Sequence, residues 1–578
     1  MTFAELSGYL DRLESTSSRK ELVKTLAELY SKSSPEEIQP LTYLIQGRLV
    51  PFFEPIEIGL GDKLVIAAIA QAFEKPAAEV TKLFDRLGDL GMVAAALSVY
   101  GSNTELPVTA VHAKLMEIAL ASGAGSVEKK RSLFAALLKQ VDPVSAKHLV
   151  RIALGRLRLG IGDPTVLDAL SFAKKGDKSL RPVLEGAYNR VSDLGVIART
   201  FWSGGETAVD ALKVTVGRPI RSQLAERLPN PEAVIKKLGL VAVQPKYDGI
   251  RVQIHKKGST VRVFSRNLED YTLMFSELTA AAQALKDETL ILDGEAIAYS
   301  KELEEYLPFQ LTASRRRQHG IEQAARDLPL VAFVFDILFR NGRDLTELPY
   351  EERLALVDEV IAGSAVLLPA PIIKTDSVEV LTKTLLDNIS QGLEGVVVKR
   401  PDSKYQAGAR NFNWVKLKRH TSGELNDTVD LVLLGYYFGK GKRAEFGVGA
   451  LLAGVYDAEK DRFATITKLG TGLSDAEWRQ IHERADKLQV DHRPARVDSI
   501  LTPDVWLEPE VVVEVMADEI TPSPRHTAGR AGEDEPGFAL RFPRVVSFRG
   551  GDKRPEDATT VKEIAQLFRQ QRERKQPA

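Results

Sequence analysis

The sequence predicts a multidomain protein with an all-α N-terminal region, an α+β central domain and a C-terminal β-barrel domain. Three observations support this fold class: the length of 578 residues, helical periodicity up to about residue 230, and short β-rich runs after it. One hydrophobic core rarely organises a chain of this length, so several domains are expected. We place them at residues 1–230, 231–419 and 420–578.

The N-terminal region repeats apolar residues at three- and four-residue spacing, as in the segments ELVKTLAELYSK, KLVIAAIAQAFEK and KRSLFAALLKQV. This spacing is typical of amphipathic helices. The pattern changes after Leu228-Pro229-Asn230-Pro231, where short β-rich runs begin. We therefore expect helices throughout residues 1–230.

The central domain opens with the run VAVQPKYDGIRVQIHKKGSTVRVFSR, which alternates apolar and polar residues around a Lys257-Gly258-Ser259 turn. Alternation on both sides of a glycine-containing turn predicts a β-hairpin. Helical segments such as YEERLALVDEVIAG are interleaved with further β-rich runs up to the basic segment NWVKLKRH. This mixture predicts an α+β domain.

The C-terminal region again contains strand-like segments, such as DTVDLVLLGYYFGKGKRAEFGVGALLAGVYD and RFATITKLGTGLS, with glycine-rich turns. Short strands joined in this way are consistent with a small antiparallel barrel. The last residues, VKEIAQLFRQQRERKQPA, predict a helix that frays into a basic tail.

Composition excludes several classes of protein. No apolar run approaches the roughly 20 residues of a spanning helix, and the N-terminus lacks the apolar stretch of a signal peptide, so we expect a cytoplasmic protein without membrane contact. The absence of cysteine excludes disulfides, a thiolate zinc site and a cysteine nucleophile. The net charge of -1 does not discriminate, so nucleic-acid binding has to be inferred from local sequence.

A series of short motifs begins at Lys246-Tyr247-Asp248-Gly249-Ile250-Arg251, which lies between two β-rich runs. Alone, this motif could be a surface Lys–Arg pair beside an Asp-Gly turn. Five further motifs follow in order and argue against that interpretation: Phe264-Ser265-Arg266-Asn267, Leu292-Asp293-Gly294-Glu295-Ala296, Phe333-Val334-Phe335-Asp336, Glu394-Gly395-Val396-Val397-Val398-Lys399 and Asn413-Trp414-Val415-Lys416-Leu417-Lys418.

In this order the motifs resemble those of the covalent nucleotidyltransferase superfamily, which comprises ligases and mRNA-capping enzymes. The resemblance implies that Lys246 is the adenylylated nucleophile and that Phe335 stacks on adenine. It implies ATP contacts by further residues: Arg251, Arg266, Glu295, Arg410 and Lys416. Relatives often carry Glu two residues before the nucleophile, where this chain has Gln244. A glutamine oxygen can still accept a hydrogen bond from the adenine amino group.

The residue types suit this chemistry. An amine attacks phosphorus only when it is deprotonated, and neighbouring cations lower a lysine pKa towards that state. The candidate cations are Arg251, Arg266, Lys399 and Lys416, and they would also neutralise charge that develops on phosphate. Glu295 and Glu394 would supply hard oxygen ligands for Mg²⁺.

The C-terminal segments VVVEVMADEITPSP and GFALRFPRVVSFRGGDKRPEDATT resemble the OB-fold domain of archaeal-type and eukaryotic replicative ATP-dependent DNA ligases. The resemblance places Arg541, Arg544 and Lys553 in the last nucleotidyltransferase motif, and adds Lys399 and Lys418 as further site residues. In that family the OB domain closes over ATP in the first step and then moves to cover DNA.

The N-terminal segments LTYLIQGRLVPFFEPIEIGLGDKL and HLVRIALGRLRLGIGDPTVLDAL are similar to the DNA-binding domain of the same ligases. This similarity implies that Arg151, Arg156 and Arg158 contact DNA. Because nicks occur in any sequence, we expect contacts to the DNA backbone and minor groove without base readout.

Taken together, the resemblance implies a DNA ligase that uses ATP and Mg²⁺ to seal nicked double-stranded DNA during replication, repair and recombination. It also implies a monomer, associated with the nucleoid in a prokaryote, with a sliding clamp as a further candidate partner. NAD-dependent ligases carry a cysteine-ligated zinc module, which the lack of cysteine excludes.

Two alternatives stay open at this point. One is an RNA ligase or capping guanylyltransferase that uses the same lysine chemistry, which labelling with AMP or GMP would distinguish. The other is a catalytically silent DNA clamp. The retention of Lys246, Glu295, Glu394 and Lys416 argues against a silent clamp, which needs none of them.

Overall fold

The computed structural model describes residues 1–98, 105–300, 305–306, 309–315, 320–390, 393–418, 428–438, 447–470, 473, 475–532, 535–549 and 552–575. The chain divides into two compact units. Unit 1 consists of Met1–Tyr188, Ser192–Leu212 and His492–Arg496, and unit 2 of Asn189–Val191, Lys213–Asp491 and Val497–Ala578. The predicted boundary at residues 419 and 420 lies outside the described residues, so the division into three domains stays a prediction.

The N-terminal part of the chain is helical, as predicted. Its helices are α1 (Phe3–Glu14), α2 (Arg19–Ser31), α3 (Ile38–Leu44), α4 (Asp62–Phe73), α5 (Ala77–Leu87), α6 (Leu90–Leu97), α7 (Val108–Leu120), α8 (Ser126–Leu138), α9 (Pro143–Ala153), α10 (Asp163–Lys175), α11 (Arg181–Val191) and α12 (Leu194–Asp210). Local sequence explains their ends. Thr2 and Glu5 form a capping box at α1, and Asp142 caps α9 ahead of Pro143.

The central part of the chain mixes strands and helices, which confirms the predicted α+β class. In chain order its elements are β1 (Leu224–Arg227), α13 (Pro231–Leu238), β2 (Val241–Lys246), β3 (Ile250–Lys257), β4 (Thr260–Ser265), α14 (Ser276–Gln283), β5 (Thr289–Ser300), β6 (Glu305–Tyr306), α15 (Phe309–Ser314), α16 (Ile321–Asp327), β7 (Leu330–Arg340), β8 (Arg343–Asp344), α17 (Tyr350–Val360), β9 (Leu367–Pro369), β10 (Ile373–Thr375), α18 (Val378–Ser390), β11 (Gly395–Lys399) and β12 (Arg410–Lys418).

These strands form two sheets. One has the order β1-β12-β11-β2-β10, and the other has the order β4-β3-β5-β7-β8, with β6 and β9 added at its sides. The expectation that helices continue to residue 230 is wrong at β1. This strand has only four residues and pairs with β12, which lies far along the chain, so no local periodicity marks it.

The C-terminal part is β-rich, as predicted. Its elements are β13 (Val429–Phe438), β14 (Val448–Asp457), β15 (Arg462–Leu469), α19 (Asp475–Asp486), β16 (Gln489–Val490), β17 (Val497–Asp498), β18 (Val505–Leu507), β19 (Val512–Met516), β20 (Glu519–Ser523), β21 (Gly537–Arg541), β22 (Arg544–Phe548), a short 3₁₀ turn (Pro555–Asp557) and α20 (Val561–Lys575). The strands β13, β14 and β15 pair antiparallel around a core that includes Leu433, Leu451 and Ile466. No helix within the described ranges has the length and apolarity to cross a membrane.

Candidate active site

Lys246 is the last residue of β2, and β3 begins at Ile250, so strands hold the lysine on both sides as the sequence predicts. The backbone of Lys246 pairs with Gly395 of β11, and the Glu394 amide donates to the Lys246 carbonyl at 3.2 Å. Gly249, in the connection between the strands, has no room for a side chain, because a β-carbon there would overlap the Ala296 carbonyl oxygen. The local backbone is therefore tightly defined around the lysine.

The Lys246 ammonium forms an ion pair with the Glu394 carboxylate, and Lys418 lies 3.5 Å from the same oxygen. Burial would raise the pKa of Glu394, but the charges of Lys246 and Lys418 hold it well below its ordinary value. The Lys246 side chain is 21% exposed, so its amine remains accessible to a ligand. The Glu394 carboxylate thus orients the Lys246 amine, which a ligand can still reach.

Gly395 sets the position of Glu394. Its φ of +141° is rarely adopted by other residues, and a β-carbon there would overlap the carbonyl oxygen of Leu417 in β12. The close approach of β11 and β12 brings Glu394 next to Lys418.

Two more carboxylates face the pocket. Burial raises the pKa of Glu295 to about 7, against the charges of Lys246 and Arg251. Burial and the neighbouring Glu394 carboxylate raise the pKa of Asp248 to about 6. Asp248 was not predicted as a site residue, although it lies within the first motif. Together with Glu394, these side chains offer the hard oxygen donors that Mg²⁺ prefers.

Asp248, Glu295 and Glu394 do not place three ligating oxygens within 4.8 Å of one another in this arrangement. Among the described residues, one group places its ligating atoms within 4.8 Å of one another, and it consists of Asp11, Glu14 and His148 in unit 1. Lys147 pairs with both of those carboxylates and Arg151 pairs with Glu14, so two cations already compensate their charge. The suitability of the Lys246 pocket for Mg²⁺ therefore follows from the oxygen atoms that these carboxylates offer, and not from a preformed cluster of ligands.

Arg251, predicted as an ATP contact, lines the pocket but is engaged by protein groups. Its guanidinium donates to both oxygens of the buried Asp293 at 3.0 and 2.6 Å and to the Gln223 carbonyl at 2.8 Å. Arg266 also lines the pocket, and its buried Nε has no hydrogen-bond partner within the described part of the chain. Arg266 is therefore the more available of the two for a ligand.

An aromatic cluster closes one side of the pocket. The Lys399 ammonium lies over the rings of Phe335, Tyr350 and Trp414, at 4.3, 4.5 and 4.1 Å from their centroids. Burial lowers the pKa of Lys399 to about 7. Lys399 thus contacts the predicted adenine-stacking residue from within the protein.

Gln244 lines the same pocket and is 2% exposed. Its side-chain oxygen accepts a hydrogen bond from the Tyr350 hydroxyl at 2.9 Å. Its amide nitrogen has no partner among the residues that the structure describes. The oxygen predicted to accept from adenine is therefore occupied in this arrangement.

Several further cations line the pocket. Arg410 is ion-paired with Glu563 of α20, and Lys416 also lowers the pKa of that carboxyl. Lys553 pairs with Asp430 and lines the pocket. Arg549, which sequence reasoning missed, also lines it and is held by Glu514 at 3.1 Å.

The other two residues predicted from the last motif are not pocket-lining residues. Arg541 donates to the Thr521 hydroxyl at 2.8 Å, and Arg544 is ion-paired with Asp518. Both arginines are exposed. The structure therefore brings Lys553 to the pocket and leaves Arg541 and Arg544 at the surface.

In unit 1, Arg151, for which the resemblance implies a DNA contact, is held by other side chains of the protein. Arg151 is 4% exposed, and its guanidinium pairs with Glu14 of α1 at 2.7 Å and with Asp89 at 3.0 Å. This arginine holds helices together. Arg156 and Arg158 keep 40% and 29% exposure, although Arg156 pairs with Asp62 and Arg158 with Asp89.

Comparison with known proteins gives three matches to family models. They are the DNA ligase N terminus over residues 2–171, the ATP dependent DNA ligase domain over residues 222–418, and the ATP dependent DNA ligase C terminal region over residues 444–552.

Three curated relatives are similar over essentially the whole chain. A probable DNA ligase of Dictyoglomus turgidum is 48% identical over 577 residues, and one of Dictyoglomus thermophilum is 49% identical over 577; each alignment covers 100% of this chain and 99% of the relative. A DNA ligase of Sulfolobus acidocaldarius is 40% identical over 593 aligned positions, again covering 100% of this chain and 99% of the relative.

Proposed function

Since this chain belongs to the ATP-dependent DNA ligase family, we propose that it seals 5′-phosphate/3′-hydroxyl nicks in duplex DNA through an AMP group carried on Lys246. The observation that supports this assignment is the accessible Lys246 amine, which strands hold on both sides and Glu394 orients. An amine placed in this way can act as a covalent nucleophile.

In the first step the unprotonated Lys246 amine attacks the α-phosphorus of ATP. A nitrogen–phosphorus bond forms, the bond from the α-phosphorus to the pyrophosphate oxygen breaks, and the amine proton passes to water. Lys416, Lys418, Arg266 and Lys553 neutralise the charge on the phosphates. Arg410 joins them when it is released from Glu563.

Asp248, Glu295 and Glu394 would hold Mg²⁺, which withdraws charge from the phosphate oxygens when it is bound. Phe335 stacks on adenine, as aromatic side chains do on flat rings. Gln244 lies at the same pocket and contacts the base. Arg251 supports the pocket through its pair with Asp293.

In the second step AMP moves from Lys246 to the 5′-phosphate of the nick, forming a pyrophosphate bond and freeing the lysine. In the third step the 3′-hydroxyl attacks the activated phosphorus, a phosphodiester bond forms, and AMP leaves. Arg156 and Arg158, together with surface cations such as Arg541 and Arg544, contact the DNA backbone.

The remaining parts of the proposal concern organisation. The chain works as a monomer in the cytoplasm, at the nucleoid in a prokaryote, with an OB-fold in its C-terminal β-rich part. It acts in replication, repair and recombination, and a sliding clamp is a candidate partner. Size-exclusion chromatography with light scattering, which gives the molar mass in solution, tests whether the protein is a monomer.

Intact-protein mass spectrometry after incubation with Mg-ATP tests the central assignment. The protein should gain the mass of one AMP, and Lys246→Ala should lose this gain. Lys257→Ala is the matched control, because Lys257 is exposed at the far end of the adjacent strand β3. An adduct that persists in Lys246→Ala, or one that forms with GTP alone, would refute the assignment.

A further inference from the structure

We propose that the Tyr350 hydroxyl sets the orientation of the Gln244 side-chain amide and thereby makes the pocket select adenine over guanine. Nothing in the motif pattern assigns a role to Tyr350. The inference rests on the proposed function, because it concerns the base of the nucleotide that Lys246 receives.

The Gln244 amide is buried with one end unpaired. Gln244 lies in β2 two residues before Lys246 and is 2% exposed. Its amide nitrogen has no hydrogen-bond partner within the described ranges. A buried amide group that cannot reach water is costly unless something pairs with it. Because Gln244 lines the pocket, a ligand bound there can supply the missing partner.

Tyr350 is the fully buried first residue of α17, and its hydroxyl meets three groups. These are the Gln244 oxygen at 2.9 Å, the Phe335 carbonyl oxygen at 3.1 Å and the Lys399 ammonium at 3.2 Å. A hydroxyl has one hydrogen to donate, and an ammonium group can only donate. Tyr350 therefore donates either to Gln244 or to Phe335.

The Phe335 carbonyl is a suitable acceptor because of an irregularity in the sheet. The register between β5 and β7 shifts at Asp293 and Gly294, and Phe335 has no partner in that ladder. Its carbonyl is thus left for the Tyr350 hydroxyl and for Lys399, whose ammonium lies 3.4 Å away.

Two arrangements of the Gln244 amide follow. When Tyr350 donates to the Gln244 oxygen, the amide nitrogen faces the ligand and favours an acceptor, such as the 6-oxygen of guanine. When the amide is turned by a half rotation, its nitrogen donates to Tyr350 and Tyr350 donates to the Phe335 carbonyl. The Gln244 oxygen then accepts from the 6-amino group of adenine.

In the second arrangement each of these groups has at least one hydrogen-bond partner once ATP is bound. Tyr350 accepts from Lys399 and Gln244 and donates to Phe335, while adenine supplies the donor for the Gln244 oxygen. The first arrangement would set the Gln244 nitrogen against the adenine amino group, two donors without an acceptor. The first arrangement would pair with guanine, but it leaves the Phe335 carbonyl with Lys399 alone, at 3.4 Å. Because poorly paired buried polar groups are costly, the network favours the second arrangement and therefore ATP.

Tyr350→Phe tests this role, since it removes the hydroxyl and keeps the ring. The preference for ATP over GTP in forming the Lys246 adduct should fall by about tenfold or more, the effect of one buried hydrogen bond. The KM for ATP should rise more than kcat falls. Tyr271→Phe is the matched control, because its buried ring carries a hydroxyl bonded to Glu269 at 2.9 Å and does not line the pocket.

Testing Tyr350→Phe in a second protein variant distinguishes an orienting role of the Tyr350 hydroxyl from a purely structural role. In Gln244→Glu the ionised carboxylate offers two equivalent acceptor oxygens, so its orientation no longer matters. Adding Tyr350→Phe there should change the ATP/GTP preference less than twofold. An equal loss of preference in both backgrounds would show a purely structural role and overturn the inference, as would an unchanged preference in Tyr350→Phe alone.

The unmodified protein provides a measurement that does not depend on the folding of any variant. Purine riboside triphosphate lacks the 6-amino group and should form the adduct about tenfold less efficiently than ATP. Equal efficiency would overturn the inference. If no nucleotide forms an adduct at Lys246, the proposed function itself fails, which is a distinguishable result.

Discussion

The carboxyl groups of Glu295 and Asp248 should control how the first step depends on pH. Their pKa values are raised to about 7 and about 6, so both become increasingly protonated and uncharged as the pH falls below those values. A carboxyl group must be ionised to hold a cation, so adduct formation should slow as the pH drops from 8 to 5.5. Mg²⁺ competes with protons for these oxygens.

The midpoint of the pH profile should therefore shift to lower pH as the Mg²⁺ concentration rises. Rates of Lys246 adduct formation, measured across this range at low and at saturating Mg²⁺, test the expectation. Glu295→Gln, which cannot ionise, should remove the part of the profile near pH 7. A midpoint that is independent of Mg²⁺ would contradict the assignment of these carboxylates.

Arg151 and Arg156 should respond to substitution in opposite ways. Arg151→Ala leaves the Asp89 and Glu14 carboxylates short of a partner in the interior of unit 1, which should cost about 3 kcal/mol of stability. Arg156→Ala breaks a partly exposed pair with Asp62, worth at most about 1 kcal/mol.

Urea denaturation and nicked-duplex binding distinguish the two roles. Arg151→Ala should lower the denaturation midpoint clearly, whereas Arg156→Ala should keep the midpoint and weaken DNA binding. The opposite ranking would favour Arg151 as the DNA contact.

For individual residues, the sequence predicts which side chains belong to the candidate site better than it predicts the contacts that they make. Lys246, Glu394 and Lys399 were recognised from motifs, and the structure brings all three to one pocket. The aromatic ring contacts of Lys399 come from β7, α17 and β12, and no local pattern relates these elements. The burial of Arg151 could likewise not be predicted from local sequence, because its partners Glu14 and Asp89 lie on or beside other helices.

Helix α20 carries a carboxylate that pairs with Arg410, which we propose as a phosphate contact. Glu563 forms a capping box with Thr560 and also pairs with Arg410. Burial opposes its ionisation, but the charges of Arg410 and Arg227 lower its pKa to about 2. Glu563 therefore neutralises Arg410 in this arrangement, and a ligand phosphate would have to replace that carboxylate to bind Arg410.

Glu563→Gln should lower the KM for ATP in the first step by about threefold to tenfold, because Arg410 is no longer held by a full charge. The glutamine can still accept from the Thr560 amide, so the helix cap is kept. Single-turnover rates of adduct formation at varied ATP concentrations measure the change. Glu535→Gln, at an exposed position, is the control, and an unchanged KM in Glu563→Gln would argue against a phosphate role for Arg410.

Among the elements, those defined by local pattern were predictable and those defined by distant pairing were not. The hairpin of β3 and β4, with its turn at Gly258 and Ser259, follows from alternation and glycine chemistry. The strand β1 depends on pairing with β12 and was missed. The Glu563–Arg410 pair, which joins residues distant in sequence, has no local signal either.

Binding of the whole molecule to nicked DNA should depend steeply on salt. The net charge is -1, so affinity must come from locally clustered cations that displace counterions from DNA. Between about 50 and 200 mM salt, the affinity should fall by at least about a hundredfold. Fluorescence anisotropy of labelled nicked duplex with the Lys246→Ala protein measures this without turnover, and a flat response would contradict backbone-directed binding.

At the scale of the chain, composition and periodicity predicted the sequence of helical, mixed and β-rich regions. They could not predict that compact unit 1 includes His492–Arg496, a segment from the β-rich part. Such grouping depends on contacts between residues distant in sequence, which local patterns do not record.

Gly395 restricts the substitutions that this protein can tolerate. It occupies the point where β11 and β12 come closest, and its side-chain hydrogen lies where any larger group would collide with Leu417. A replacement there would displace Glu394 and Lys418 in a single mutational event. Any side chain at this position would consequently require the backbones of β11 and β12 to move apart.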